Sequence, residues 1–200
     1  MAKVIDHTLR LVYGRQNESR GEMTPQPTDI PASGRREDGT LDPATFRAVM
    51  SQWVTGIAVV TSTDAGVPVG IVCNSLTSVS LDPLLLLWTV DRKSSSFDHW
   101  MRVSEWAIHF LAEDQKDLVK QFAQKGGDKF AGLDFQFSAN GVPLLPNALV
   151  RLECRTWNRM DAGDHVVIVG EVDSFQQRIA KPLTFVHGSL VAANLPEPTK

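Results

Sequence analysis

The sequence has few residues that could hold a metal ion or form a disulfide framework. It contains 2 cysteines in 200 residues, Cys73 and Cys154, and neither belongs to a CxxC pair. Its 5 histidines are scattered, without an HxxxH spacing or a Cys/His grouping. Structural zinc sites and disulfide scaffolds need such clusters. We therefore expect no metal site, and we expect both cysteines to be reduced, buried residues of strands.

Several motifs of nucleotide binding and catalysis are also missing. The chain contains no GxGxxG, no GxxxxGK[ST], no GxSxG and no HExxH. These patterns are typical of Rossmann dinucleotide sites, nucleotide-hydrolysing loops, hydrolase nucleophiles and zinc proteases. No pair of acidic residues stands out for acid–base chemistry. A phosphate-bearing cofactor that supplies its own chemistry would agree with these absences.

Long hydrophobic runs and an excess of positive charge are absent too. The longest apolar run, Leu84–Val90, is too short to cross a bilayer, and the N-terminus lacks the apolar core of a secretory signal. The formal net charge of -3 disfavours binding to nucleic acid by charge alone. We expect a cytoplasmic protein that binds neither membranes nor nucleic acid.

Three parts of the chain differ in composition. Residues 14–40 are polar and include three prolines and several glycines, so we expect residues 1–40 to form a flexible N-terminal extension. Residues 41–190 carry the apolar patterning of one folded domain. Residues 191–200 form a short C-terminal tail that contains proline.

The folded domain begins with a helix signal. Asp42 suits the N-cap position, and Pro43 suits the first helical position. Four apolar residues then recur at helical spacing: Phe46, Val49, Met50 and Trp53. We expect this apolar stripe to pack in the core.

Strand-length apolar runs separated by turns make up most of the remaining domain. Two β-hairpins are predicted, around the turns at residues 63–68 and 161–164, and helical spacing recurs only in residues 95–103 and 113–125. Strands and helices do not alternate regularly, which disfavours a doubly wound sheet. The pattern predicts a mainly β fold with a few helices, built as an antiparallel β-barrel.

The most informative stretch is Gly70–Ser96. Between two apolar runs, a polar row has strand-like spacing: Asn74, Ser75, Thr77, Ser78 and Ser80. The second run ends in Asp91–Ser96, a turn with a cation and hydroxyls before a helix, and such a turn suits a phosphate group. Taken alone, Ser94–Ser96 are more typical of a simple helix cap. The polar row before them favours a ligand with a phosphate at one end.

Five segments in this order resemble the flavin reductases that serve two-component flavin-dependent monooxygenases, the FMN-binding split-barrel group. They are WVTGIAVVTS, VPVGIVCNSLTSVSLDPLLLL, DRKSSSF, QFAQKGGDKFAGL and AGDHVVIVGEV, and they extend from about Phe46 to Phe185. The resemblance implies a homodimer of antiparallel split β-barrels. It also implies that the protein binds FMN or FAD, reduces it with NADH or NADPH, and releases the reduced flavin to a partner oxygenase.

The resemblance also implies site residues. Those expected to contact the flavin are Thr55, Gly56, Asn74, Ser75, Leu76, Thr77, Ser78, Ser80, Asp91, Lys93, Ser94, Ser95, Ser96 and Phe130, with the phosphate on residues 93–96. His165 resembles the histidine that borders the nicotinamide and is the candidate catalytic residue. Two alternatives stay open: His165 could simply satisfy a backbone group, and Phe130 could be a plain core residue. We expect Trp88, Trp100 and Trp106 to serve packing or the dimer interface.

Two features depart from the family pattern. The N-terminal extension is longer than usual and could be an arm to a second subunit or a tail. His187-Gly188-Ser189-Leu190 lacks the aromatic residue that many relatives carry after the glycine, so a stacking contact there is in question. A flavin-retaining electron carrier or sensor of the same fold is the main alternative function. A pyridoxamine-phosphate oxidase-like enzyme ranks last, because no basic cluster is set aside for a second phosphate.

Overall fold

The computed structural model describes residues 34–36 and 38–193. Most of the predicted N-terminal extension and of the predicted C-terminal tail lies outside the described residues.

The described chain is mainly β, as predicted. Its helices are α1 (Pro43–Met50), α2 (Phe97–Arg102) and α3 (Lys116–Ala123), and a 3₁₀ turn at Glu113–Gln115 precedes α3. Its strands are β1 (Thr55–Gly56), β2 (Ala58–Asp64), β3 (Val67–Cys73), β4 (Thr77–Leu81), β5 (Leu84–Asp91), β6 (Glu105–Phe110), β7 (Gln136–Phe137), β8 (Pro143–Leu144), β9 (Val150–Ala162), β10 (His165–Gln177), β11 (Leu183–Val186) and β12 (Ser189–Ala192).

Seven strands form one antiparallel sheet in the order β3-β2-β6-β9-β10-β5-β4. The two predicted hairpins are confirmed as β2–β3 and β9–β10. A smaller sheet joins β1, β11 and β12, and β7 pairs with β8. The antiparallel, mainly β class is therefore confirmed.

The large sheet must curl strongly. Its edge strands β3 and β4 are joined only by Asn74–Leu76, and such a link spans at most about 15 Å. A flat sheet of seven strands would place its edges about 29 Å apart. The two edges therefore approach each other at the link, and most of the predicted polar row lies at this junction.

Two large apolar clusters fill most of the interior; a small third cluster contains Ala107, Val142 and Leu144. One surrounds Trp88, Trp100 and Trp106, which are fully buried, and Trp88 packs edge-on against Trp100 with 5.1 Å between ring centroids. These tryptophans were predicted to serve packing or a subunit interface, and the packing role is confirmed. The other cluster lies under α3 and includes Val119 and Phe122.

Helix α1 forms as predicted, but its apolar face does not pack. The Asp42 side chain accepts a hydrogen bond from the Thr45 backbone N–H at 2.8 Å, which confirms the N-cap. No residue of α1 is buried, however, and Phe46 and Trp53 are 63% and 72% exposed. The prediction that this stripe packs in the core is wrong, because no described element lies over it.

The C-terminal hairpin β11–β12 lies across the predicted end of the folded domain. His187 and Gly188 form its turn with φ angles of 50° and 74°, a turn geometry that favours glycine at one position. Strand β12 extends to Ala192, so the predicted domain end at residue 190 falls within a strand. The His-Gly pair between two short apolar runs was the signal that could have revealed it.

Candidate functional site

A cavity of about 520 Å³ opens beside the junction of the two sheet edges. Six of the predicted site residues line it: Gly56, Asn74, Leu76, Thr77, Ser78 and Ser80. Most of the remaining wall is apolar and includes Leu84, Phe110, Val172 and Phe175. An apolar cavity with one polar margin suits a flat aromatic ligand whose edge carries hydrogen-bonding groups.

Ser75 has a different place from the rest of the row. Its Oγ accepts a hydrogen bond from the Thr89 backbone N–H at 2.9 Å, and it does not line the cavity. This bond fixes the link between the edges onto β5. Ser75 therefore fixes the position of the link that carries the polar residues, although it does not line the cavity itself.

Thr55 begins the strand that brings Gly56 to the cavity. Its Oγ1 is buried and has no hydrogen-bond partner among the described residues. Buried hydroxyls are usually satisfied. An unsatisfied hydroxyl next to a cavity residue is the arrangement expected where a bound ligand completes the bonding.

The turn after β5 is built by Asp91. Its buried carboxylate accepts a hydrogen bond from the Lys93 backbone N–H at 2.7 Å, and its carbonyl accepts one from the Ser94 N–H at 2.9 Å. The Lys93 side chain and Ser95 are exposed, and Ser94 is buried. Asp91 thus shapes the turn that presents Lys93 and Ser95, and its predicted contact with the flavin stays a prediction.

Ser96 occupies the N-cap position of α2 without capping the helix. Its side chain makes no capping hydrogen bond. Its Oγ instead accepts a hydrogen bond from the Trp100 Nε1–H at 2.9 Å and lies 3.3 Å from the Ser94 Oγ. A simple helix cap therefore does not describe Ser96. Sequence reasoning gave Trp100 a role in packing or the dimer interface and missed this bond, although Ser96 and Trp100 are four positions apart, which is the spacing of neighbours on a helix.

A second cavity, of about 250 Å³, adjoins this turn. It is lined by Ser95 and Ser96, by residues 67–70 of β3 and by residues 126–129. The Lys129 Nζ donates to the carbonyls of Gly70 and Phe122 at 3.1 and 2.9 Å, which holds the glycine-rich loop against β3. Two serines of the predicted phosphate turn thus border an open space.

His165 lies beside the same turn. It pairs with Asp91 across β10 and β5, and its Nδ1 is 2.7 Å from the Asp164 Oδ1. This hydrogen bond lowers the pKa of Asp164 below its ordinary value, and nearby Lys93 contributes in the same direction. The His165 side chain is 16% exposed. The ring binds a carboxylate rather than a backbone group, which leaves its predicted role toward the nicotinamide as a prediction.

Phe130 does not join the other site residues. It is buried, and its ring packs edge-on against Phe122 and Phe135 with centroid distances of 5.0 and 5.1 Å. It lines neither cavity. The structure gives it a core role, and its contact with a flavin stays a prediction.

The cysteines are buried thiols in strands, as predicted, and no disulfide joins them. Cys73 lies in the cavity wall, where burial raises its pKa to about 12. Burial also raises the pKa of Cys154. A thiol with a raised pKa stays protonated near neutral pH and is a poor nucleophile. Neither cysteine is suited to redox chemistry.

The described residues also bear on metal and membrane sites. They contain no group of three or more histidine, cysteine or acidic side chains placed to hold a metal ion. Within residues 34–36 and 38–193, no helix has the length and apolar character needed to cross a bilayer.

The described residues thus combine an apolar cavity that has a polar margin with a cationic, serine-rich turn after β5, which borders a second cavity. Residues 50–193 match the model of the flavin reductase like domain. The chain therefore belongs to the flavin reductase-like family of oxidoreductases.

Similar proteins agree with this assignment. The chain is 41% identical over 144 residues to the FMN reductase (NADH) SmoA of Agrobacterium fabrum, which covers 72% of this chain and 82% of that protein. It is 35% identical over 162 residues to HsaB, the reductase subunit of a flavin-dependent monooxygenase of Rhodococcus jostii, which covers 80% and 83%. A solved structure of the NADH:FAD oxidoreductase SgcE6 of Streptomyces globisporus, with NAD and FAD fragments, superposes with a TM-score of 0.74 at 28% identity, which covers 79% of this chain and 96% of that chain.

Proposed function

We propose that this protein is an NAD(P)H:flavin oxidoreductase that reduces FMN or FAD and supplies the reduced flavin to a separate monooxygenase. The observation that carries the proposal is the arrangement along β5. The polar-edged apolar cavity lies beside this strand, and the Lys93–Ser96 turn follows its end. The names of the relatives support flavin as the substrate, NADH as the donor and an oxygenase as the recipient.

The residues of the site fit a flavin. The polar margin at residues 74–80 would hydrogen-bond the ring edge and the ribityl chain, while the apolar wall would cover the ring. Lys93 and the serines at 94–96 would hold the phosphate through a cation and hydroxyl donors. The flavin itself supplies the redox chemistry, as it accepts a hydride from the nicotinamide. The protein then acts by binding and by orientation, which can lower a barrier substantially.

We assign His165 to placing the nicotinamide. Its ring is fixed by Asp164 at the end of the β5–β10 pair, next to the proposed phosphate turn. The variant His165→Ala should raise the Michaelis constant for NADH or slow hydride transfer by about 3- to 10-fold, the effect of losing one hydrogen bond, with unchanged flavin affinity. Stopped-flow reduction of bound flavin measures both quantities. Unchanged rate and NADH affinity would remove this role from His165.

The site should be completed by a second copy of the chain. The curled sheet would form a split barrel, and two such barrels would make a homodimer. The exposed apolar residues of α1 and Trp53 support a partner, because large apolar surfaces on a soluble protein usually mark an interaction site. Size-exclusion chromatography with light scattering tests this assembly, and a monomer at micromolar concentration would contradict it.

The deciding experiment measures NADH oxidation by the purified protein with and without added FMN or FAD. A diffusible-flavin reductase should show turnover that saturates with added flavin, and the two flavins are ranked in the same assay. A yellow protein without turnover on NADH or NADPH would contradict the proposal and indicate a flavin-retaining carrier or sensor.

A further inference from the structure

The fold contains two similar hydrogen bonds between a buried indole and a hydroxyl, and they differ in one respect. The Trp106 Nε1–H donates to the Thr156 Oγ1 at 2.9 Å, and the Trp100 Nε1–H donates to the Ser96 Oγ at 2.9 Å. Both indoles are fully buried. Thr156 lines neither cavity, whereas Ser96 borders the second cavity.

The two hydroxyls also use their own protons differently. The Thr156 hydroxyl donates to the Val103 carbonyl at 2.9 Å, so its hydrogen bonding is complete. Among the described residues, the Ser96 hydroxyl has only the Ser94 Oγ as an acceptor, at a long 3.3 Å. A hydroxyl that already accepts one hydrogen bond has its rotamer restricted while its proton is still available. The Ser96 proton is therefore available to a ligand in the cavity.

Trp100 is itself rigidly held. Its ring packs edge-on against Trp88, and its carbonyl accepts a hydrogen bond from the Arg159 Nε at 2.9 Å. The bond to Ser96 is not simply required for burial of an indole, because the Trp88 Nε1 is buried without a partner among the described residues. The fold thus tolerates one unsatisfied indole and places the bonded one behind the serine turn.

We infer that Trp100 is a positioning residue for phosphate recognition: it fixes the Ser96 hydroxyl so that its proton points toward the phosphate of the flavin. The inference rests on the proposed function, because it requires the flavin phosphate to bind at the Lys93–Ser96 turn. Trp100 itself, being fully buried, does not touch the ligand. Its effect should appear only for ligands that carry the phosphate.

The test compares the affinities of FMN and riboflavin, which differ only in the phosphate. Trp100→Phe removes the N–H donor and should weaken FMN binding by about 3- to 10-fold, as for one lost hydrogen bond, with riboflavin affinity within about twofold of the wild-type value. Trp106→Phe is the matched control, since it removes an equivalent bond away from both cavities. It should leave the ratio of the two affinities unchanged. A double variant with Ser96→Ala should show no further change in the ratio, because Trp100 acts through Ser96.

The outcomes separate this inference from the proposed function. If Lys93→Ala and Ser96→Ala lower FMN affinity selectively while Trp100→Phe does not, the phosphate site stands and the role of Trp100 is refuted. An equal loss for FMN and riboflavin in Trp100→Phe also refutes it, since that result indicates general damage to the fold. If Lys93→Ala and Ser96→Ala leave the ratio unchanged, the phosphate site is wrong and the inference fails with it. Should Trp100→Phe not fold, the benzothienyl analogue of tryptophan at position 100 keeps the ring shape without the N–H and gives the same comparison.

Discussion

Helices α1 and α3 have the same length and similar apolar spacing, and they have opposite surroundings. Helix α3 buries Val119 and Phe122 completely against β3, whereas α1 buries no residue. The N-terminal ends show the opposite contrast: the Asp42 side chain caps α1 by accepting a hydrogen bond from the Thr45 N–H, whereas no side chain caps α3. Short helices depend mainly on packing for stability. Helix α1 is thus specified by local signals, and α3 by the sheet beneath it.

The largest effect expected from this difference is on the stability of the fold. Phe122→Ala should lower the free energy of unfolding by about 3–5 kcal/mol, because it leaves a cavity in a closed core. Phe46→Ala, on the exposed face of α1, should change the stability of the isolated monomer by less than about 0.5 kcal/mol, whereas a partner that covers α1 in the proposed dimer would add to this cost. Urea denaturation followed by circular dichroism measures both values. A cost for Phe46→Ala as large as that for Phe122→Ala would show that another chain covers α1 in solution.

The same contrast explains what could be predicted of the fold. The apolar periodicity and the Asp42-Pro43 signal were sufficient to predict that α1 is a helix, since both are local features of the sequence. The environment of its apolar face was predicted wrongly, because spacing does not reveal which element covers a face. The strand alternation around residues 63–68 and 161–164 gave both long hairpins. The strand order of the curled sheet depends on the pairing of β9 with β6 and of β10 with β5, and local patterns did not predict it.

The candidate site, like the fold, was predicted only in part. The polar row and the serine turn were visible because their residue types are unusual beside apolar strands. The apolar wall, with Phe110 and Phe175, comes from strands far apart in sequence and carried no local signal. The bond between Trp100 and Ser96 was missed because a tryptophan in the sequence indicates packing, and only the structure shows which group its N–H bonds. Residue type thus indicated the polar contacts, and only the fold gave the shape of the cavity.

Two glycines allow the packing beneath α3 and the packing around β1 to be compared at single positions. A Cβ atom added at Gly70, beneath α3, would lie 2.4 Å from the Phe122 ring. One added at Gly56, in the strand that follows α1, would meet nothing within 4 Å. Gly70→Ala should therefore lower the free energy of unfolding by about 1–3 kcal/mol, the usual cost of overpacking.

Gly56→Ala is the matched substitution in β1, where the glycine has no close neighbours. It should leave the stability within about 0.5 kcal/mol of the wild-type value, but it should weaken flavin binding because Gly56 lines the large cavity. Thermal unfolding and flavin titration of both variants give the comparison. Equal destabilisation by the two substitutions would show that the region around β1 is as closely packed as the region beneath α3.

The smallest expected effect is the pH dependence of stability, and it also arises in the closely packed core beneath α3. His109 is fully buried; its Nδ1 lies 3.2 Å from the Val59 carbonyl, and its Nε2 accepts a hydrogen bond from the Leu145 N–H at 3.1 Å. A neutral ring satisfies both partners when Nδ1 carries the proton. Burial lowers the pKa of His109 from 6.5 to about 3. The unfolded chain therefore takes up a proton at higher pH than the folded chain, so stability is full above pH 6.5 and falls as the pH decreases toward 3.

Between pH 7 and pH 5.5 this linkage should lower the free energy of unfolding by about 1 kcal/mol. Urea denaturation at a series of pH values measures the slope. His109→Gln keeps an acceptor and a donor without a titrating ring, and it should reduce the slope even though it lowers stability at pH 7. Burial also lowers the pKa of His99, and His99→Gln is the control for its share. A slope that His109→Gln leaves unchanged and His99→Gln removes would place the acid sensitivity in α2, outside the core beneath α3. The core beneath α3 would then owe its stability to apolar packing alone.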